Sequence, residues 1–430
     1  MAGAIFGPGD YDRLDADLAG TDRLLEKNYP GDDGSRQPVH TVYVPADQFT
    51  PSLAADWGAQ ARDVVEAEGG MEQLAHLLGL DGVLAAEVAR KAGAKLASEP
   101  IEDLRLDFED GYGDRGDAAE DADAVRAADN VSAAVADGTA PPYIGIRFKC
   151  FEAATRRRGL RTLELFVSGL VENGGLPEGL VLTLPKVSTV DQVKAMDYAC
   201  GRLESGLGLA TGRLRFEVQV ETPQLILGAQ GSAPVAQLPH VTDGRISALH
   251  YGTYDYSASL QIAAEYQSME HPAADLAKQI MQLAAAGTGI RFSDGSTNVL
   301  PVGGPDQVRA AWALHARLVR RSLERGYYQG WDMHPAQLPS RFAATYGFYR
   351  EGFTPAADRL RAYVDRAGSA VLDEPATAAA LAWFLKRGLD CGALGAAELH
   401  DRAGLGPADL TGLLRRPREE MAHASTVRQR

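Results

Sequence analysis

Short apolar runs rich in β-branched and aromatic residues recur along the chain. Each is separated from the next by polar or Gly-rich residues and a longer stretch of helical period. Eight of these runs read as strands: Thr41–Val44, Asp103–Phe108, Tyr143–Phe148, Leu180–Leu184, Leu214–Val220, Ile246–Tyr251, Asn298–Val302 and Tyr327–Asp332. Between them, apolar positions return every three or four residues in Met71–Ala97, Asp117–Ala136, Thr189–Glu204, Ala273–Ala286 and Asp306–Arg325. That spacing is the mark of an amphipathic helix, and Pro305 with Asp306 supplies a start for the last one. Strands alternating with helices predict βαβ units and a parallel sheet. Eight of them predict an α/β fold closed as a (β/α)8 TIM barrel. An open doubly wound sheet would carry a Gly-rich phosphate turn after its first strand, whereas here that strand runs into Pro45-Ala46-Asp47.

Outside this rhythm, residues 1–39 read as an N-terminal extension with a short helical pattern around Tyr11–Leu25. The barrel occupies 40–339, and 340–430 form a C-terminal helical arm and tail, with a helix over Ala376–Arg387 and a charged end. The chain has 430 residues, 45% apolar and 23% charged, ordinary values for a protein with a large core. A formal charge of -15 disfavours nucleic acid and anionic membranes as partners. It leaves room for small anionic substrates, because a local Arg or a metal can reverse the field in a pocket. Cys150, Cys200 and Cys391 form no CxxC pair, so reduced thiols and a cytoplasmic location are expected. No basic n-region with a following apolar run marks a signal peptide, and no run of 18 apolar residues marks a membrane span.

In such a barrel, functional groups sit where strands end and βα loops begin. Strand two runs into Asp107-Phe108-Glu109-Asp110-Gly111, strand three ends at Arg147 before Lys149, and strand four leads to Pro185-Lys186. Strand five leads to Glu221-Thr222, strand six to Gly252-Thr253-Tyr254-Asp255, and strand eight to His334-Pro335. Glu221 and Asp255, from adjacent strand ends, suit a hard octahedral cation such as Mg2+ or Mn2+. The alternative for them is a helix cap and a turn. Arg147 suits a carboxylate or enolate anchor, or an ion pair with Glu109 or Asp110. Lys186 offers a Schiff-base nitrogen or a salt bridge within the ring of charges, and His334 an acid/base group or a structural hydrogen bond. Thr155–Arg161 (TRRRGLR) reads as a basic loop for a phosphate group or for a neighbouring subunit.

Taken in order, these segments resemble the citrate lyase beta-subunit-like (CitE-like) branch of the HpcH/HpaI aldolase superfamily. The resemblance is carried by HTVYVPA (40–46), LDFEDG (106–111), IRF (146–148), LPKV (184–187), VET (220–222), YGTYDY (251–256), MHPAQ (333–337) and VLDEP (371–375). Departures are Lys149, where an Asn often follows the Arg, Tyr254 beside the second metal acid, His40 before the first strand, and greater length. The resemblance implies a barrel whose arm covers the site of a neighbour in a homo-oligomer, often a trimer. It implies Glu221 and Asp255 as metal ligands, Arg147 as the anchor and Asp373 as the acid/base group delivered by the arm. Glu109, Asp110, Lys186, Thr253 and His334 would line the substrate. The expected function is a divalent-metal-dependent carbon–carbon lyase of aldolase or acyl-CoA lyase type. It would act on a 2-oxo or 2-hydroxy acid, or its coenzyme A thioester, through an enolate. Two alternatives are a barrel acting on phosphoenolpyruvate or another phosphorylated substrate, and a non-catalytic metabolite-binding barrel.

Overall fold

The computed structural model describes residues 5–365 and 374–415. Helix α1 (Pro8–Asn28) precedes strand β1 (His40–Pro45), and α2 (Leu53–Ala67), α3 (Gly70–Leu77) and α4 (Gly82–Ser98) follow it. Next come β2 (Asp103–Asp107) with α5 (Asp117–Ala136), β3 (Tyr143–Arg147) with α6 (Arg156–Glu172), and β4 (Leu180–Leu184) with α7 (Val190–Leu207). Strand β5 (Phe216–Val220) leads to α8 (Pro223–Ile226) and α9 (Leu238–Val241). Strand β6 (Ile246–Tyr251) leads to α10 (Thr253–Ser259) and α11 (Pro272–Ala285). Strands β7 (Arg291–Ser293) and β8 (Gly330–Asp332) flank α12 (Pro305–Glu324). The chain continues through α13 (Leu338–Val364), α14 (Pro375–Asp390), α15 (Ala396–Ala403) and α16 (Pro407–Arg415).

All strand pairings are parallel and follow chain order, with β1 lying between β2 and β8. A bridge from Ser293 to Gln329 joins β7 to β8, and Trp331 N donates to Gly295 O at 3.3 Å, closing the (β/α)8 barrel. The period-2 alternation explains both sides of the wall. Val42, Val44, Leu104, Leu106, Ile144, Ile146, Leu182 and Val218 are buried in the main apolar cluster. The alternate positions fill the lumen with an unusually polar core. Arg105 donates to Thr183 Oγ1 at 3.0 Å and Glu217 Oε2 at 2.9 Å, and also pairs with Asp103. Gly145 is needed in this wall: a Cβ there would lie 1.7 Å from Val181 O.

Three expectations need correction. The seventh strand is Arg291–Ser293, not Asn298–Val302, which is irregular with Val299 and Val302 exposed. Pro301 has no N–H for a ladder and Gly303-Gly304 follows, while the true strand is too short to show a period. The helix expected over Met71–Ala97 is two helices, α3 and α4. Gly79, at φ +82°, turns the chain between them, and α2 before them went unread. Thr155–Arg161 is not a loop: Arg156 opens α6, where Arg158 pairs with Asp121 and lies 3.4 Å from Glu120. Helix α13 packs against α4, α12 and α14 beside the barrel. No helix among the described residues is long and apolar enough to cross a membrane.

Candidate active site

Strands β2 and β3 run in register, so Asp107 and Arg147 finish opposite one another. Arg147 donates from Nε to Asp107 Oδ1 at 2.7 Å and from Nη2 to Oδ2 at 2.6 Å. This is the two-bond match of a planar guanidinium to a carboxylate. Its Cζ lies 4.7 Å from the ring centre of Tyr43 and 5.4 Å from that of Trp331. Burial opposes its charge, but Asp107 outweighs that and holds the guanidinium pKa well above the usual range. Among the described residues Nη1 has only long contacts, to Gln219 Oε1 at 3.4 Å and Glu109 Oε2 at 3.7 Å, so it retains capacity for another oxygen. The partner expected for Arg147 was Glu109 or Asp110. The pair with Glu109 is present at 3.7 Å, but the tighter partner is Asp107, itself fixed by the N–H groups of Glu109 and Gly111 at 3.0 and 2.8 Å.

Glu221 follows β5 directly and is buried. Asp255 lies in the first turn of α10, just after β6, and is half exposed. The two loops abut closely: a Cβ on Gly252 would come within 2.5 Å of Glu221 Cβ. Lys186 Nζ bridges Glu109 Oε1 at 2.9 Å, Asp110 Oδ2 at 2.7 Å and Asp255 Oδ2 at 3.2 Å, and its backbone N donates to Glu221 Oε1 at 2.6 Å. Its left-handed backbone, φ 51°, is uncommon for a residue with a side chain and accompanies this turn back across the mouth. Burial opposes the ammonium, yet Glu221, Glu109 and Asp110 together hold its pKa well above the ordinary value. Burial pushes Glu221 up to about 7, with Asp255 and Glu109 adding to the effect and Lys186 and Arg147 opposing it.

The mouth is therefore a place built for positive charge. Three carboxylates meet one ammonium, and a fourth, Glu221, accepts from the same residue's backbone N–H and is partly discharged by burial. Among the described residues no set of three or more His, Cys, Asp or Glu converges as a ligand cage. A pair of carboxylates with its other positions left to water or substrate is nevertheless the usual protein share of Mg2+ coordination. The donors are hard oxygens, without His or Cys, which suits Mg2+ or Mn2+ and not zinc. On this chemistry the residues fit a divalent cation, with Glu221 and Asp255 as the pair to hold it.

A cavity of about 340 Å³ opens here, lined among others by Tyr43, Arg147, Glu221, Thr253, Asp255 and Trp331. Two polar atoms at its wall, Thr253 Oγ1 and Trp331 Nε1, are buried without hydrogen-bond partners among the described residues. A buried orphan donor is costly unless something else satisfies it. His334 stands apart: its Nδ1 accepts from Ala336 N at 3.1 Å, capping a short turn, and it is not part of the lining. Asp373 lies outside the described residues. Sequence reasoning missed Asp107, Tyr43 and Trp331. The two aromatic residues read as ordinary strand positions, although inward-facing aromatic residues beside a strand-end Arg were a usable signal.

The chain belongs to the family described as a domain of unknown function, DUF6986, which it matches over residues 18–417. No curated protein matches it. Among solved structures, it is similar to Haloferax volcanii malate synthase in a magnesium and glyoxylate complex. That match has 16% identity and a TM-score of 0.49, and covers 88% of this chain and 98% of that one. It is similar to the citrate lyase beta subunit from M. tuberculosis complexed with oxaloacetate and magnesium, at 16% identity, 73% and 98% coverage and TM-score 0.43. It is also similar to an HpcH/HpaI aldolase/citrate lyase family protein from Burkholderia cenocepacia J2315, at 16% identity, 76% and 98% coverage and TM-score 0.39.

Proposed function

We propose that this protein is a divalent-metal-dependent carbon–carbon lyase, or the reverse synthase, acting on a small 2-oxo or 2-hydroxy acid or its coenzyme A thioester. The observation that carries the reading is the convergence, at one barrel mouth, of the acid ring with the anchored guanidinium of Arg147. Glu221 and Asp255 would hold Mg2+ or Mn2+. A cation there supplies Lewis-acid charge for the oxygen that becomes negative when the bond breaks. Arg147, held rigid by Asp107 and two aromatic rings, presents Nη1 to the substrate carboxylate or the enolate oxygen. The Thr253 hydroxyl and Trp331 N–H, unpartnered among the described residues that line the cavity, would orient the same small acid.

In the cleavage direction, a base takes the proton of the hydroxyl on the carbon to be released, and that carbon becomes a carbonyl. The C–C pair then passes to the carbon beside a carbonyl, and the resulting enolate is protonated. Asp373 is our candidate for moving that proton, brought by the arm of this or a neighbouring subunit in a homo-oligomer. The cavity has room for the acid unit of a thioester but not for a whole coenzyme A, whose nucleotide would lie outside. The phosphorylated-substrate alternative loses its main support, because Arg156 and Arg157 border a different groove, between α6 and α7.

The test is turnover with Mg2+ of malyl-, citramalyl- and citryl-thioesters, and of free 2-oxo acids with aldehydes. Cleavage abolished by chelation and by Glu221→Ala or Asp255→Ala supports the proposal. Ligand-dependent stabilisation without turnover of any of them would leave a metabolite-binding barrel in its place.

A further inference from the structure

Among the described residues, helix α1 is not packed into its own chain beyond its C-terminal end. None of its residues is buried, and Tyr11, Leu14, Leu18 and Leu25 are each about half exposed. At 3.6 residues per turn these four return to one stripe. On the same wheel Asp15, Asp22 and Glu26 fall along one edge, Asp10 and Asp17 along the other beside Leu24, and Arg13, Arg23 and Lys27 on the back with Asp12; Arg13 lies 3.7 Å from Asp17. The charge pattern is thus ordered about the apolar stripe, and a contiguous exposed apolar surface marks a contact.

A complementary surface lies on the barrel wall, between α6 and α7. A groove of about 470 Å³ has an apolar floor that includes Phe151, Leu163 and Leu203, with Leu160 and Tyr198 exposed. Its borders carry Arg156, Arg157, Arg161 and Arg202. Arg161 already meets Asp121 and Glu164. Among the described residues no carboxylate lies within ion-pair reach of Arg156, Arg157 or Arg202. Three unpaired guanidinium groups around one apolar trough are conspicuous in a chain of net charge -15.

We infer that α1 of one copy lies in the α6–α7 groove of a second copy, apolar stripe inward, with its flanking acids against the arginines. The chemistry is that of an amphipathic helix in a groove, with complementary charge setting its register. The charge match selects this occupant over a generic apolar partner. A second copy is favoured over the same chain because the root of α1 is tied down elsewhere. Lys27 lies 3.5 Å from Asp243, Tyr29 packs edge-on against His240 and Gly31 N donates to Gly287 O at 2.8 Å, and from that root α1 runs on without burying a residue in its own chain's groove. Stripe and groove are different patches, so the contact closes either as a reciprocal exchange or as a ring. It does not depend on the proposed lyase activity.

The test is the full chain carrying Leu18→Cys with Tyr198→Cys, under mild oxidation. The native cysteines are buried and so do not compete. Covalent species of two or more chains are expected on denaturing gels. Their yield should fall at least tenfold when Arg157→Glu and Arg202→Glu are added, and return when Asp15→Lys and Asp22→Lys accompany them. A link confined to one chain, no link at all, or a yield indifferent to charge reversal would each overturn the inference.

Discussion

Lys186→Met removes the one ammonium shared by Glu109, Asp110 and Asp255 while keeping a side chain of similar length. Its partners differ in exposure. Glu109 is largely buried at 8%, whereas Asp110 and Asp255 are 56% and 45% exposed. Breaking a buried pair costs about 3–5 kcal/mol, and an exposed pair contributes only about 0–1. Lys186 is itself 22% exposed, so the loss should fall below that buried range, at about 2 kcal/mol. For 430 residues, at about 2.1 cal/mol/K of unfolding entropy per residue, that is a drop in Tm of about 2 °C. A cation bound only by the folded state at 100 times its Kd returns about 2.7 kcal/mol. Mg2+ should therefore restore most of the lost Tm in the variant, and should raise native Tm less, because there it competes with the Lys186 ammonium. The assay is thermal unfolding followed by circular dichroism, with MgCl2 titrated against NaCl at equal ionic strength. If the variant gains no more from Mg2+ than the native protein does, the acid ring is not a cation site and the proposed chemistry has no support.

Glu221→Gln should fold and lose the Mg2+-dependent rise in Tm; an undiminished rise would put the cation elsewhere. Without metal, burial takes the Glu221 carboxyl from its ordinary value of 4.5 to about 7 on folding. The native state thus binds its proton more tightly, and the stabilisation is complete below about pH 4.5 and lost as pH rises through about 7, a span worth about 3 kcal/mol. Urea unfolding of native protein and Glu221→Gln at pH 5 and pH 8 reads this as a difference of differences, and equal pH responses would contradict it. Asp107→Asn should destabilise by about 3–5 kcal/mol by leaving Arg147 buried without its counter-charge; an unchanged urea midpoint would make the pair incidental.

Much of the barrel was legible because its strands carry inward polar and outward apolar residues at period 2, as in Asp103–Asp107 and Phe216–Val220. Strand β7 was not, because three residues at the closing seam give no period and the apolar NVLPV segment beyond it imitates one. The site was legible as a list of strand-end charges, but not as a set of pairings. Asp107 and Glu109 are two residues apart, and only the β2–β3 register decides which of them Arg147 meets with two short bonds and which at 3.7 Å. The approach of Lys186 to Glu109, Asp110 and Asp255 depends on a left-handed backbone at a non-glycine residue, which composition does not announce. His334 followed the strand-end rule and still misled, since a His before Pro can serve its own turn.

The charges at the mouth also bear on the order in which ligands can enter. Among the described residues, Asp107, Glu109, Asp110, Glu221 and Asp255 face only Arg147 and Lys186 as cations, so the fully ionised cluster carries an excess of negative charge. The raised pKa of Glu221 is the protein's partial relief of that excess. A carboxylate substrate arriving alone would meet repulsion from the ring before it reached Arg147, whose charge is largely balanced by Asp107. With a divalent cation between Glu221 and Asp255, the same acids become an electrostatic frame, and the long contacts of Arg147 Nη1 leave it ready for the incoming oxygen. Substrate affinity should therefore depend steeply on Mg2+, while Mg2+ affinity measured alone should depend on pH through Glu221. Calorimetric titration of glyoxylate or pyruvate into metal-free and Mg2+-loaded protein separates the two. Equal substrate affinity in both would mean that the acid ring and the guanidinium act as independent sites.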